Sequence, residues 1–259
     1  MADVHLNLVD SSRQLFELDP GVEIESGSAW LFGAGRSSHP AISNAAFRTG
    51  EVSAEELVTR AQGFFDARGR GFSVWMRAGL TDDDDIGEAA QAAGLNQVFE
   101  MPEMVLEKRA EERPLPPGAG LRRVESAADA ASFWQIATSA YADNGFPPEI
   151  FSYYEDHSGL VADNAVTFLA ELDGKPVGIA MTIVSHGVAG VYWVGTLAEA
   201  RGRGIGEAVT TAAVNAGLDL GGEIASLQAS PMGEPVYRRM GFETIYRYRL
   251  LMQSPPKAG

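Results

Sequence analysis

The sequence predicts an α/β fold that is built twice along the chain, and three observations support this prediction. In the C-terminal half, two alternating strand patterns are joined by Asp173-Gly174, a dipeptide typical of a two-residue type I′ turn. Another strand pattern, residues 190–197, leads through a glycine-rich turn into a helical pattern at 207–216. The N-terminal half shows a fainter version of the same order of strands and helices.

The N-terminal half contains a series of regular patterns before a linker. We predict a strand at 45–48, a helix at 53–67, a strand at 72–76, a helix at 83–93 and a strand pair at 97–101 and 104–107. Residues 113–120 contain three prolines and two glycines, which cannot continue a helix or a central strand. They form the predicted linker between a first domain, 1–112, and a second domain, 121–259.

The C-terminal half begins with a strand pattern at 121–124 and a helical pattern at 127–141, for which Ser126 is a candidate N-cap. We then predict a hairpin of strands at 166–172 and 177–184, a third strand at 190–197 and a helix at 207–216. A strand at 224–229, a short helix at 234–240 ended by Gly241, and a final strand at 242–252 complete the half.

Composition excludes several classes of function. A net charge of −15 argues against a nucleic-acid partner, because phosphate repulsion would have to be overcome. The chain has no apolar run near ~18 residues and no signal-peptide pattern, so no membrane span and a cytoplasmic location are expected. With no cysteine and four scattered histidines, no metal site is expected. The acidic surface either favours a cationic substrate or only keeps the protein soluble.

The most informative segment is Arg201-Gly202-Arg203-Gly204-Ile205-Gly206, which follows a strand and opens a helix. Glycines let the backbone approach a phosphate, and the N–H groups of a first helical turn bind anions. The same four letters occur at 68–71, but there a helix precedes and a strand follows. We interpret that earlier copy as a glycine-capped helix end, and therefore as a plain turn.

Three stretches of the C-terminal half together resemble the GNAT acyltransferases, which move an acetyl group from acetyl-CoA to an amine. They are the turn at 201–206, the strand at 226–230, and Tyr237 followed by Gly241-Phe242. The resemblance covers about 119–252, and it implies a mixed, mostly antiparallel sheet flanked by helices. The chain looks like a two-copy member whose first copy lacks the cofactor loop, since Glu51 stands near the corresponding turn. Coincidence of two α/β stretches is the alternative.

The resemblance also implies the roles of individual residues. The strand would offer backbone groups to the pantetheine arm, and the glycine turn would bind the pyrophosphate. The implied cofactor residues are Val194, Gly195, Thr196, Arg201, Gly202, Arg203, Gly204, Ile205, Gly206, Ser230 and Arg238. Tyr237 would protonate the leaving thiolate, or it is only a core aromatic. Ser230 would touch the cofactor or cap the next turn, and Arg238 would contact the cofactor or be a solvated surface cation.

The general base is less determined by the sequence. Asp143 and Glu149 lie in a loop that walls the acceptor site in this fold, and Glu155 follows close behind. Each carboxylate could instead be an ordinary surface group, and a dedicated base could be absent. Tyr192 and Trp193 are expected to point to opposite faces of their strand, so that one of them faces the substrate cleft. Gly195 is expected to mark a bulge that separates two strands.

These observations predict a cytoplasmic N-acetyltransferase that uses acetyl-CoA, needs no metal, and acts on the amine of a small molecule or peptide. The alternative is a non-catalytic acyl-CoA-binding regulatory module on the same scaffold. A phosphate-loop nucleotide switch is disfavoured, because the turn lacks the Lys-Ser/Thr pair that holds phosphates with magnesium.

Overall fold

A computed structural model describes residues 2–80, 83–154 and 158–255. The helices are α1 (Val4–Phe16), α2 (Ala54–Asp66), α3 (Asp84–Ala92), α4 (Ala127–Ala142), α5 (Ile205–Asp219) and α6 (Glu234–Met240). The strands are β1 (Glu23–Ser26), β2 (Trp30–Ala34), β3 (Asn44–Arg48), β4 (Phe72–Ala78), β5 (Asn96–Leu106), β6 (Ala119–Arg123), β7 (Ala165–Leu172), β8 (Lys175–Ser185), β9 (Val188–Thr196), β10 (Ile224–Gln228) and β11 (Glu243–Gln253).

All the strands join one mixed sheet, in the order β1-β2-β3-β4-β11-β5-β10-β9-β8-β7-β6. Two neighbouring pairs, β3 with β4 and β9 with β10, are parallel, and the other pairs are antiparallel. This confirms the predicted mixed, mostly antiparallel sheet, with helices packed against both of its faces.

The two halves exchange their last strands. Strand β11, from the C-terminal end, lies between β4 and β5, and β5 from the first half lies between β11 and β10. Beyond the exchanged strand on each side of the β11–β5 boundary, the strands run outward in descending chain order, with four strands beyond β11 and five beyond β5, so the repeat has the form of a pseudo-two-fold. Side chains of each exchanged strand also pack in the core of the other half. Leu251 lies in the core of the first half, and Met104 and Leu106 lie in that of the second.

Strand β5 corrects one prediction. The sequence suggested two short strands interrupted at Pro102, whereas a single strand runs through this proline. Proline lacks an N–H donor, and it is tolerated in sheets at bulges. Strand β11 has a register shift between Thr244 and Tyr246, directly beside Pro102, and the Pro102 carbonyl still accepts a hydrogen bond from Ala229 at 3.0 Å.

Several local signals are confirmed. Ser126 caps α4 in a reciprocal capping box with Asp129. The turn residues Asp173 and Gly174 both have positive φ, 51° and 75°, as a type I′ turn requires. Gly241 ends α6 at φ 94°.

The two faces of the sheet have separate cores. One face carries α1, α4 and the short 3₁₀ helix 148–153, over a core that draws on both halves. The opposite face carries α5 and α6 over one core and α2 and α3 over another. Within the described ranges, none of the helices has the length and apolarity that crossing a membrane needs.

Candidate functional site

A gap opens in the sheet between β9 and β10. The two strands pair through three residues only, and the last pair in the described chain is Ser226 with Gly190. Strand β9 continues to Thr196, so its backbone groups on this side pass beyond β10. Such groups can hydrogen-bond an extended ligand arm, as a strand edge does with a peptide.

A bulge in β9 lies at this gap. Tyr192 pairs with Met181 and Gly195 with Ile179, so two residues, Trp193 and Val194, lie opposite one. Trp193 has φ 53°, which is rare for a large side chain. The prediction that Tyr192 and Trp193 face opposite sides is wrong, because the bulge turns both into the same core.

The bulge is two residues earlier than the sequence suggested. Gly195 serves a different need, because a Cβ there would lie 3.0 Å from the Ala140 side chain of α4. The glycine therefore permits close approach of that helix to the strand. Val194 and Thr196, on either side, are half-buried at the gap.

The turn after β9 has the geometry of an anion site. Gly202 and Gly204 have φ of 71° and 79°, and a Cβ at either position would meet no atom within 4 Å. Gly204 is the N-cap of α5 and provides no side-chain cap, and the first helical hydrogen bond runs from Ala208 to its carbonyl. The N–H groups of the first turn, including those of Ile205 and Gly206, therefore precede the hydrogen-bonded ladder. A pyrophosphate fits this open, electropositive helix end.

The arginines of the predicted site have different surroundings. Arg201 is half-buried, pairs with Asp143 at 2.6 Å and donates from Nε to the Thr196 carbonyl at 3.0 Å. It thus ties the end of β9 to the end of α4. Arg203 is exposed at the tip of the turn. Arg238 pairs with Glu234 one helical turn before it, at 2.6 Å.

Tyr237 lies beneath the gap on the side of α5. Its side chain is buried in the core around α5, where its ring packs against Phe242. Burial raises the pKa of Tyr237 to about 12. Burial also raises the pKa of Tyr141, which belongs to α4 on the opposite face of the sheet.

The carboxylates predicted as bases are placed as follows. Asp143 is held in its ion pair with Arg201. Glu149 is exposed on the 3₁₀ helix, and burial lowers the pKa of His39 although the charge of Glu149 opposes this shift. Glu155 lies outside the described residues. The hydroxyl of Ser230 accepts a hydrogen bond from the Gly233 N–H at 3.1 Å, as the capping alternative expects.

Sequence reasoning missed a buried carboxyl group, Glu103 of β5. Its side chain is 0% exposed, and one oxygen accepts a hydrogen bond from Gln228 at 2.6 Å. Its Oε1 makes no hydrogen bond among the described residues, and neither does the Ser226 hydroxyl, which lies near enough to favour the charged form of Glu103. Burial raises the pKa of Glu103 well above its ordinary value. The adjacent proline had suggested a strand break at this position. This break hid the alternation that places Glu103 on the face of the sheet that carries α1 and α4.

In the first half, α2 occupies the position that α5 has in the second half, but its N-terminal end is different. Helix α2 is capped by Ser53, whose hydroxyl accepts from the Glu56 N–H, and Glu55 and Glu56 occupy its first turn. A helix end that is already capped and carries two acids disfavours a phosphate. The copy of the four letters at 68–71, which we call the decoy turn, is structural. Arg68 lies over the Phe64 ring, and Gly69 follows the end of α2 with φ 63°.

Comparison with known proteins gives two kinds of match. Residues 107–229 match the family described as acetyltransferase (GNAT) domain. A mycothiol acetyltransferase of Streptomyces griseus subsp. griseus is 27% identical over 187 residues, which cover 69% of this chain and 60% of that protein. The chain therefore spans about 60% of the length of this curated relative.

Solved structures share the fold across both halves. A GCN5-related N-acetyltransferase from Kribbella flavida aligns with TM-score 0.72 and 20% identity, over 99% of this chain and 98% of that chain. A tandem GNAT protein from the clavulanic acid biosynthesis pathway aligns with TM-score 0.62 and 12% identity, over 97% of each chain. These similarities concern the fold of the whole chain, including its N-terminal half.

Proposed function

We propose that this chain is a member of the GNAT acetyltransferase family and that it transfers an acetyl group from acetyl-CoA to an amine of a small molecule or peptide. The observation that carries the proposal is the opening in the sheet. The uncapped end of α5 follows β9, and β9 pairs with β10 through three residues only before its bulge at Trp193 and Val194. The similarity to a mycothiol acetyltransferase supports acetyl transfer and leaves the acceptor open.

In the proposed binding mode, the pyrophosphate lies on the first-turn N–H groups of α5, and Arg203 adds charge at the turn. The pantetheine arm follows the unpaired side of β9 from Thr196 to Val194. The donor then enters from the α5 side of the sheet, and the acceptor approaches the thioester from the opposite side. Arg201 keeps a positioning role, because it joins the end of β9 to α4.

The proposed reaction is direct transfer. A neutral amine attacks the acetyl carbon, an N–C bond forms, and the C–S bond breaks with its electron pair on sulfur. Tyr237 donates a proton to the thiolate, and the proton released by the amine restores the balance through a base or solvent. With a pKa of about 12, the phenol stays protonated throughout the physiological range.

Turnover with amines tests this function. We expect release of free CoA from acetyl-CoA that depends on an added amine, when amino acids, polyamines, aminoglycosides and peptides are screened. The alternative is a non-catalytic acyl-CoA-binding module, and the ion pairing of Asp143 is the observation that favours it, because it removes one candidate base. That alternative predicts tight acetyl-CoA binding with no amine-dependent release. A cytoplasmic location stays a prediction.

Substitution of the turn tests the donor site. We expect Gly204→Asp to weaken acetyl-CoA binding at least about tenfold, because it places a carboxylate where the backbone meets the pyrophosphate. Calorimetry measures the affinity. Gly69→Asp in the decoy turn is the matched control, since Gly69 also has positive φ and open space at its Cβ. Equal acetyl-CoA affinities of the two variants would contradict the proposal that the pyrophosphate binds at the turn before α5.

A further inference from the structure

Strand β5 presents a row of side chains to the α4 face of the sheet. Phe99, Met101 and Glu103 alternate along the strand, so they share this face. Phe99 and Met101 are half-buried and Glu103 is fully buried, so burial increases along the row. The row ends beside the gap, because Glu103 pairs with Gln228, two residues past the last contact of β10 with β9.

We propose that β5, the strand given by the first half, forms the acceptor side of the site: Glu103 takes the proton of the acceptor amine, and Phe99 and Met101 contact an apolar body of the acceptor. This inference rests on the proposed acetyl transfer and adds a base and a substrate class to it. It also gives the first half a role in the site of the second.

The chemistry of Glu103 suits this role. A buried carboxyl oxygen without a partner is costly, and such groups are concentrated at functional sites. The raised pKa of Glu103 brings the carboxylate closer to an amine in basicity, which favours proton transfer. Glu103 accepts the proton that the attacking nitrogen loses, directly or through one water, and returns it to solvent after the amide leaves.

Aromatic rings surround the end of the row at Phe99, and they favour one chemical class of acceptor. Phe99 stacks on Phe146 with ring centroids 5.9 Å apart, and Phe146 contacts Tyr141 at 6.0 Å. These three rings are half-buried and come from both halves. They suit an amine with an aromatic or apolar body, whereas a polycation would place further ammonium groups against apolar rings.

Other titratable groups lie near Glu103 on β9 and β11. Tyr192 of β9 and Tyr246 and Tyr248 of β11 all have raised pKa values, so none of them loses a proton near neutral pH. His5 of α1 is linked to this group through the Tyr248 hydroxyl at 2.8 Å, and burial lowers the pKa of His5. His5 therefore titrates on the acid side, and a His5→Gln variant separates its contribution.

The test compares Glu103→Gln with the parent in three measurements. We expect kcat to fall at least about 100-fold, acetyl-CoA affinity to stay within about twofold, and the acid limb of the pH–rate profile to lose the ionisation of Glu103 and keep only that of the amine. Because the active form is the carboxylate and burial raises its pKa, the parent loses activity as the pH falls through that raised value. Glu100→Gln, an exposed acid on the same strand, should leave all three unchanged.

The amine panel contains 2-phenylethylamine as the apolar probe and spermidine as the polycation. We expect the parent to prefer 2-phenylethylamine at least about tenfold in kcat/KM. An unchanged acid limb in Glu103→Gln, or a preference for spermidine, overturns the inference while acetyl transfer stands. If the parent turns over no amine, the proposed function fails. Calorimetric titration of 2-phenylethylamine in the presence of CoA then tests the site. Loss of 2-phenylethylamine binding in Glu103→Gln supports the inference, and no 2-phenylethylamine binding to the parent overturns it.

Discussion

A fragment of residues 120–259 is expected to form no stable, active protein, although it contains every residue of the donor site. Strand β5 lies between β10 and β11, so its removal leaves both strands without their shared partner. It also removes Met104 and Leu106 from the core around α5, where truncation of one such side chain costs about 2–5 kcal/mol. Two such losses alone approach the total stability of a domain.

The fragment is measured by solubility, circular dichroism and acetyl-CoA binding. A fragment of residues 94–259 is the matched control, because it restores β5 while still lacking the rest of the first half. We expect this longer fragment to recover at least part of the acetyl-CoA binding. A soluble fragment 120–259 with full activity would contradict the exchange of strands as a requirement of the fold.

The substitution Tyr237→Phe is expected to lower kcat on the order of 100-fold, with little change in acetyl-CoA affinity. The ring keeps its place against Phe242, and the proton donor to the thiolate is lost. Because the pKa of Tyr237 is about 12, this residue contributes no titration between pH 6 and 10, and the parent's profile should be flat with respect to it. Steady-state kinetics and calorimetry measure the two effects.

Tyr154→Phe is a suitable control for this prediction. Tyr154 is also buried and its pKa is likewise raised to about 12, but its hydroxyl contacts Ser43 of the first half. We expect its kcat to stay within about twofold of the parent. If Tyr237→Phe behaves like Tyr154→Phe, Tyr237 is a core aromatic and the thiolate takes its proton elsewhere.

The elements of the second half could be predicted because their signals are local. Each of these signals depends only on residues close to it in the sequence. Examples are the capping box at Ser126, the turn at Asp173-Gly174 and the glycine after α6. The open end of α5 belongs to the same class, since the two glycines of its turn directly precede the helix. Most of the proposed donor site therefore follows from short sequence patterns.

Strand exchange could not be predicted in this way. Whether β5 pairs with β10 or with the strands of its own half depends on contacts between residues more than 100 positions apart, such as Glu103 with Gln228. The bulge at Trp193 depends on the opposing strand β8 as much as on its own sequence. The first three elements, α1 to β2, carried weak patterns and received no assignment.

The acceptor side has the same limitation. The sequence offered Asp143 and Glu149 because they lie in the expected loop, whereas the fold pairs Asp143 with Arg201 and exposes Glu149. Glu103 was hidden by the neighbouring proline and by its position in the other half. Acceptor residues therefore require the pairing of the strands, which donor residues do not.

The most direct test of the account is the number of acetyl-CoA molecules that bind to one chain. We expect one, bound at the turn of α5, because the matching helix end in the first half is capped by Ser53 and carries Glu55 and Glu56. Calorimetric titration of the full chain gives this number. One site per chain, weakened in Gly204→Asp and kept in Gly69→Asp, is the expected result; two equivalent sites, or none, would contradict it.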